Sequence, residues 1–200
     1  MNPSRATPTD DQAADDRQLV ASVLARAPGA FERLVTRHQA LVWHMVYRMV
    51  QHPEDARELS QDVFLRVHKR LHQFRAESSL ATWIGRVAFS VATRHLQRKR
   101  LPIVEQGTDE DEAPAWEQVA DGFDLAAACA DAETMRLLQA AIDKLPTLQR
   151  TLVTLYHLDE LGVGEIAIIT DLPEGTVKNY LFRARSRLRQ QLGTKLGVAA

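Results

Sequence analysis

Residues 165–189, EIAIITDLPEGTVKNYLFRARSRLR, restrict what this chain can fold into more than any other stretch. A short apolar segment runs into a turn at 170–173 and then into a segment rich in Lys and Arg. Pro173 suits the first turn of a helix, where its missing N–H would have no intrahelical partner. From that start Val177, Leu181, Ala184 and Leu188 recur at helical spacing and form one apolar stripe. Lys178, Asn179, Phe182, Arg183 and Ser186 fall on the opposite side. A helix that buries one stripe and presents ammonium, amide, guanidinium and an aromatic ring on the other suits a DNA major groove. Ile166 and Ile169 of the preceding segment belong to the shared core, so the pair reads as a helix-turn-helix. Many basic amphipathic helices are only solvated surfaces. Here no Asp or Glu follows Glu174 to balance the positive charge, and Phe182 stands off the stripe, where solvation has no use for a ring. DNA binding is the expectation.

The net charge of −1 argues against a nucleic-acid partner only as an average. Residues 101–135 contain no Lys or Arg and ten acids, from Glu105 to Glu133. The flanking blocks, 94–100 and 178–189, are basic, and this segregation is the informative signal. Cys129 is the only cysteine, which excludes an intrachain disulfide and a Cys-rich metal site and fits a reducing cytoplasm. No run reaches transmembrane length and no signal-peptide core opens the chain, so membrane insertion is not expected. The His residues lack metal-ligand spacing, and neither a nucleophile–base signature nor a Gly-rich phosphate loop occurs, so no metal, cofactor or catalytic residue is expected.

Apolar periodicity reads as helix nearly throughout, with strand-like alternation absent. Helices are expected at 16–26, 30–51, 54–72, 80–98, from about 131 to 145, at 146–157, and in the helix-turn-helix. Acids at the start of the third favour its dipole, and Ser78 or Ser79 suits the cap of the fourth. The fold class is all-α: two small helical domains joined by a flexible acidic linker, the C-terminal one containing the helix-turn-helix. The boundaries are 1–14 disordered, 15–100 first domain, 101–130 linker, 131–192 second domain, and 193–200 tail.

These residues resemble a sigma factor of bacterial RNA polymerase, of the extracytoplasmic-function (ECF) group in the sigma-70 family. PEDARELSQDVFLRV (53–67) is similar to the family's core-polymerase-binding helix, SLATWIGRVAFSVATRHLQRKR (79–100) to its promoter-melting and minus-ten segment, and 145–188 to its minus-thirty-five-reading domain. The first domain is then sigma region 2 and the second sigma region 4. The resemblance implies a transcription-initiation subunit, not an enzyme, acting in the cytoplasm with core RNA polymerase and promoter DNA as partners. An anti-sigma factor, common in the family, is a further partner. It places core binding on Asp55, Glu58, Leu59, Gln61, Asp62 and Phe64. Minus-ten binding falls on Arg75, Glu77, Ser78, Ser79, Trp83, Arg86, Ser90, Arg94, Arg98 and Lys99, with the loop 74–79 holding a base flipped from the non-template strand. Trp83 suits either a stack at the opening fork or an ordinary core position. Thr176, Lys178, Asn179, Phe182, Arg183 and Ser186 are implied at the minus-thirty-five element.

The chain departs from the family pattern at Ser90, where Asn is common, at Arg57, where an acid is frequent, and at Asp171, where Gly is usual. Asp tolerates the left-handed backbone better than most residues, so the turn should survive. Ile168 replaces a usually polar residue. A linker of this length spans roughly 30 Å as a coil and about 100 Å stretched. That suffices for promoter elements about two DNA turns, roughly 70 Å, apart. The competing reading is a stand-alone helix-turn-helix regulator, which an all-helical first domain without a receiver-like strand pattern disfavours.

Overall fold

A computed structural model describes residues 10–99, 101, 103 and 132–196. Among them are α1 (Asp10–Leu24), α2 (Ala30–Val50), α3 (Pro53–Arg70), a 3-10 turn (Leu71–Gln73), α4 (Leu80–Arg98), α5 (Ala132–Asp143), α6 (Thr147–His157), α7 (Val163–Thr170) and α8 (Glu174–Leu196). No strand occurs among the described residues. The expected acidic linker, apart from Leu101 and Ile103, lies outside the described residues, as do 1–9 and 197–200. Residues 10–14 were expected to be disordered, yet α1 starts at Asp10.

Local chemistry sets the helix ends. Pro53 opens α3, and His52 caps it, its ring Nδ1 accepting from Asp55 N–H at 3.4 Å. Ser79 caps α4 through Thr82 N–H at 3.1 Å. Glu165 reaches back to accept Gly162 N–H at 3.0 Å, fixing the start of α7. Asp171 ends α7 in the left-handed region, at φ 60°, as its place in the turn requires.

The buried stripes match the apolar periodicity. Val42, Met45 and Val46 of α2, Ala56, Leu59, Val63 and Val67 of α3, and Leu80, Ile84, Ala88 and Val91 of α4 form the core of the first unit. Leu148, Leu152 and Leu155 of α6, Ile166 of α7 and Val177, Leu181, Ala184, Leu188 and Leu192 of α8 form that of the second. Both expected units are present, and the structure adds that they pack on one another, α6 against α2 and α7 against α4, in one continuous apolar core.

The contact is close because Gly85 lacks a side chain. A Cβ there would stand 3.0 Å from Ile169 Cδ1 and 3.3 Å from Met45 Cε. Ile169, expected inside the second unit, thus also seals its junction with the first. A polar network flanks this apolar contact. Arg48 donates to Asp143 Oδ1 and Gln139 Oε1, both at 2.8 Å, and Gln51 to the Asp143 carbonyl at 2.8 Å. Arg150, 4% exposed, donates to the Leu145 carbonyl at 2.8 Å and to the Arg48 carbonyl. Burial pushes its guanidinium down to about 10, with Asp143 opposing, so it stays charged at neutral pH. His44 faces Asp159 at 3.3 Å and Thr82 Oγ1 donates to Glu165 Oε1 at 3.1 Å.

His38 makes the fold sensitive to acid. Its ring is 6% exposed in α2, and its Nε2 has no partner among the described residues. Burial lowers its pKa from 6.5 to about 4; Asp16 opposes the shift and Arg37 adds to it. Between those values the unfolded chain binds more protons, so stability is complete above pH 6.5 and is lost as pH falls toward 4. Denaturant unfolding should show about 2 kcal/mol less stability at pH 5 than at pH 7 from this group. His38→Gln should remove that part of the slope, and an equal slope in the variant would refute the assignment.

Candidate polymerase and DNA interfaces

Three surfaces collect the residues singled out in the sequence. On α3, Glu58 and Gln61 are exposed and Asp62 is partly so, held by Arg66 Nη2 at 2.9 Å. Residues 58, 61, 62 and 65 share one helix face. Leu65, missed in the sequence, is 59% exposed on it and puts an apolar group among the polar ones. Leu59 is 5% exposed and belongs to the core stripe, so it supports the helix from behind and does not stand on that exposed face. Phe64 is half-buried against the core. Asp55 and Lys99, expected on different surfaces, pair with each other at 2.6 Å, with His95 Nε2 3.4 Å from the same carboxylate oxygen. The hydrogen bond from Lys99 holds the Asp55 carboxyl below its ordinary value.

The second surface comprises the loop 74–79 and α4. Arg75, Glu77, Arg86, Arg94 and Arg98 are exposed; Ser78, Ser79 and Ser90 are half-buried. Trp83 is half-buried and packs edge-on against Phe74, centroids 5.9 Å apart, so its ring closes the base of the loop. Arg86, Ser90, Arg94 and Arg98 follow one another along one side of α4 at helical spacing. Cations in such a row suit a phosphate backbone.

The third surface is α8. Its buried stripe is the one expected, and Lys178, Asn179, Phe182 and Arg183 are half-buried on the other side with Ser186 exposed. Thr176 lies half-buried in the first turn. Arg185 is turned back onto α6, over the Tyr156 ring at 5.3 Å and 3.4 Å from His157 Nε2. Ile168 of α7, noted in the sequence as replacing a usually polar residue, is 46% exposed.

Among the described residues no group of His, Cys, Asp and Glu is placed to hold a metal ion, and no helix is long and apolar enough to cross a membrane. Residues 34–101 match the family described as Sigma-70 region 2, and 135–188 match Sigma-70, region 4. The ECF RNA polymerase sigma-E factor of Escherichia coli K12 is 32% identical, over 86% of this chain and 92% of its own length. The chain belongs to the ECF RNA polymerase sigma factors. The ECF RNA polymerase sigma factor SigW of Bacillus subtilis is 30% identical over 82% of this chain and 89% of its own. Among solved structures, CnrH in complex with the cytosolic domain of CnrY has the same fold, with a TM-score of 0.62 and 22% identity over 90% of this chain and 97% of that one. As a sigma subunit, the protein recognises promoters and initiates transcription; a stand-alone regulator is set aside, because the first unit is region 2.

Proposed function

We propose that this sigma subunit divides its work among the three surfaces. The α3 face built from Glu58, Gln61, Asp62 and Leu65 docks on core RNA polymerase. Arg75, Glu77, Ser78 and Ser79 of the loop, with Ser90, read the minus-ten element. Arg86, Arg94 and Arg98 hold its phosphates, while Trp83 acts from the base of the loop. On α8, Lys178, Asn179, Phe182, Arg183 and Ser186 read the minus-thirty-five element, and Thr176 contacts a phosphate. The observation that carries this reading is the two-sided form of α8, a wholly buried stripe backed by a polar, cationic and aromatic face. The protein works in the cytoplasm as a specificity subunit without catalysis of its own, and an anti-sigma factor is a further partner.

The closed packing of the two regions belongs to the free subunit. Promoter elements about two turns apart lie roughly 70 Å from each other. Helices α4 and α7 touch, with Thr82 and Glu165 joined by a 3.1 Å hydrogen bond. The regions therefore separate when the holoenzyme forms on a promoter.

Run-off transcription with purified core tests the assignment. Arg183→Ala should lower output roughly ten-fold from promoters that depend on the upstream element, since a bidentate base contact is worth about 1–3 kcal/mol. Core association should be unchanged. A parallel fall in both would show that Arg183 supports the fold and does not read DNA.

A further inference from the structure

The loop proposed to read the minus-ten element is held at both ends by a helix distant in sequence. Its downstream end is the start of α4, where Leu80 N–H donates to Asp16 Oδ2 at 2.9 Å, across 64 residues of chain. Ser79 satisfies the Thr82 N–H, so two of the unpaired donors of the α4 N-terminus have separate acceptors, one local and one from α1. The upstream end is the 3-10 turn Leu71–Gln73, against which α1 also packs.

The geometry points to Asp16 as a positioning residue that sets the shape of the minus-ten loop; this rests on the reading of that loop given above. Asp16 is 4% exposed, unusual for a carboxylate unless it is fully engaged. Its Oδ2 faces the Leu80 amide and the positive end of the α4 dipole, and its Oδ1 lies 3.6 Å from Arg37 Nη2. The loop needs such a hold. Ala76 sits at φ 56°, in the left-handed region that a residue with a Cβ adopts only at a cost. Released from α1 at either end, the segment has more favourable conformations available, and a pocket for a flipped base would lose its shape.

Asp16 touches no base in this scheme and acts only through the start of α4 at Leu80. Its removal should therefore change which bases are preferred, not merely how much transcript forms. The test is run-off transcription by holoenzyme, full-length chain with core polymerase, on a promoter library randomised over both elements. For Asp16→Ala, discrimination at the bases read by the loop should fall about ten-fold, the lower end of the scale for losing one charge-assisted hydrogen bond. Preferences at the minus-thirty-five element and core affinity should stay as in the wild type. Asp16→Asn keeps a carbonyl acceptor for Leu80 and loses only the charge facing the helix end, so it should flatten the same positions by about two-fold. A purely structural role would lower every output in parallel and leave relative base preferences intact. That result in a folded Asp16→Ala overturns the inference. If Asp16→Ala does not fold, unaltered minus-ten preferences in Asp16→Asn overturn it instead. Glu77→Ala and Ser78→Ala separate the two levels. If they change the minus-ten profile while Asp16 variants do not, only the role of Asp16 fails; if none of them changes it, the reading of the loop falls too.

Discussion

Gly85→Leu should force regions 2 and 4 apart while leaving each folded. Gly85 lies in the middle of α4, where glycine costs close to 1 kcal/mol relative to good helix formers, so leucine favours the helix itself. Its main cost falls at the junction, with a smaller one on the flexible end of Met45 in α2, whose Cε would stand 3.3 Å away. Even a methyl would approach Ile169 Cδ1 to 3.0 Å and Cγ1 to 3.2 Å, and the further carbons of leucine would occupy the place of the Ile169 side chain. Overpacking of this kind costs roughly 1–3 kcal/mol where the surroundings yield, and more where a helix backbone stands behind the displaced group. The polar links beside it, Arg48 to Asp143 and Thr82 to Glu165, contribute only about 1 kcal/mol each and depend on the same approach of the helices.

Small-angle scattering measures the outcome. A compact chain of this size has a radius of gyration near 17 Å, and two half-sized bodies with centres ~40 Å apart approach 24 Å. The variant should move toward the larger value with its helical circular dichroism unchanged. It should also bind core more tightly by several-fold, because the open form no longer has to be drawn from a closed majority. An unchanged radius in a folded variant would show that the junction accommodates leucine and that Gly85 is not what permits the close approach.

The parts of this architecture that were legible in the sequence are those set by local periodicity. The stripe Val177, Leu181, Ala184, Leu188 is a 3.6-residue pattern, and α8 buries it. The limits of α4 followed from Ser79 before an apolar repeat, and Asp171 in the turn from the backbone that a helix end demands. Leu59 belonged to the apolar stripe of α3 by the same rule, and its resemblance-based place on the docking surface ran against that pattern; burial upheld the pattern. Long-range contacts left no such trace. Nothing near Asp16 indicates that its carboxylate caps a helix starting at residue 80. Arg150 looked like any surface cation in an amphipathic helix, yet it lies buried among the Asp143, Leu145 and Arg48 carbonyls. The one available hint of the closed packing was Gly85, a glycine in the interior of an apolar-periodic helix, where a packing reason for so small a residue is to be looked for.

Asp62→Arg should weaken association with core polymerase by about a hundred-fold, since reversing a charge at a docking face costs on the order of 2–5 kcal/mol. The subunit itself should scarcely notice. The ion pair lost, Asp62 with Arg66 at 2.9 Å, joins side chains 39% and 31% exposed, and such pairs contribute about 0–1 kcal/mol once solvent screening is counted. Thermal unfolding therefore serves as the control, and competition against a labelled sigma subunit for purified core reads the affinity. Leu65→Asp provides an independent probe of the same face: with 59% of leucine exposed, it should leave stability nearly intact and still weaken core binding, as an apolar contact at the middle of an interface does. Promoter opening should fail in both variants, yet recover when core is raised far above the weakened Kd. Unchanged competition by both variants would remove the docking role from α3. A loss in Leu65→Asp alone would mean that the interface is held by its apolar centre and that the acids around it only steer the approach.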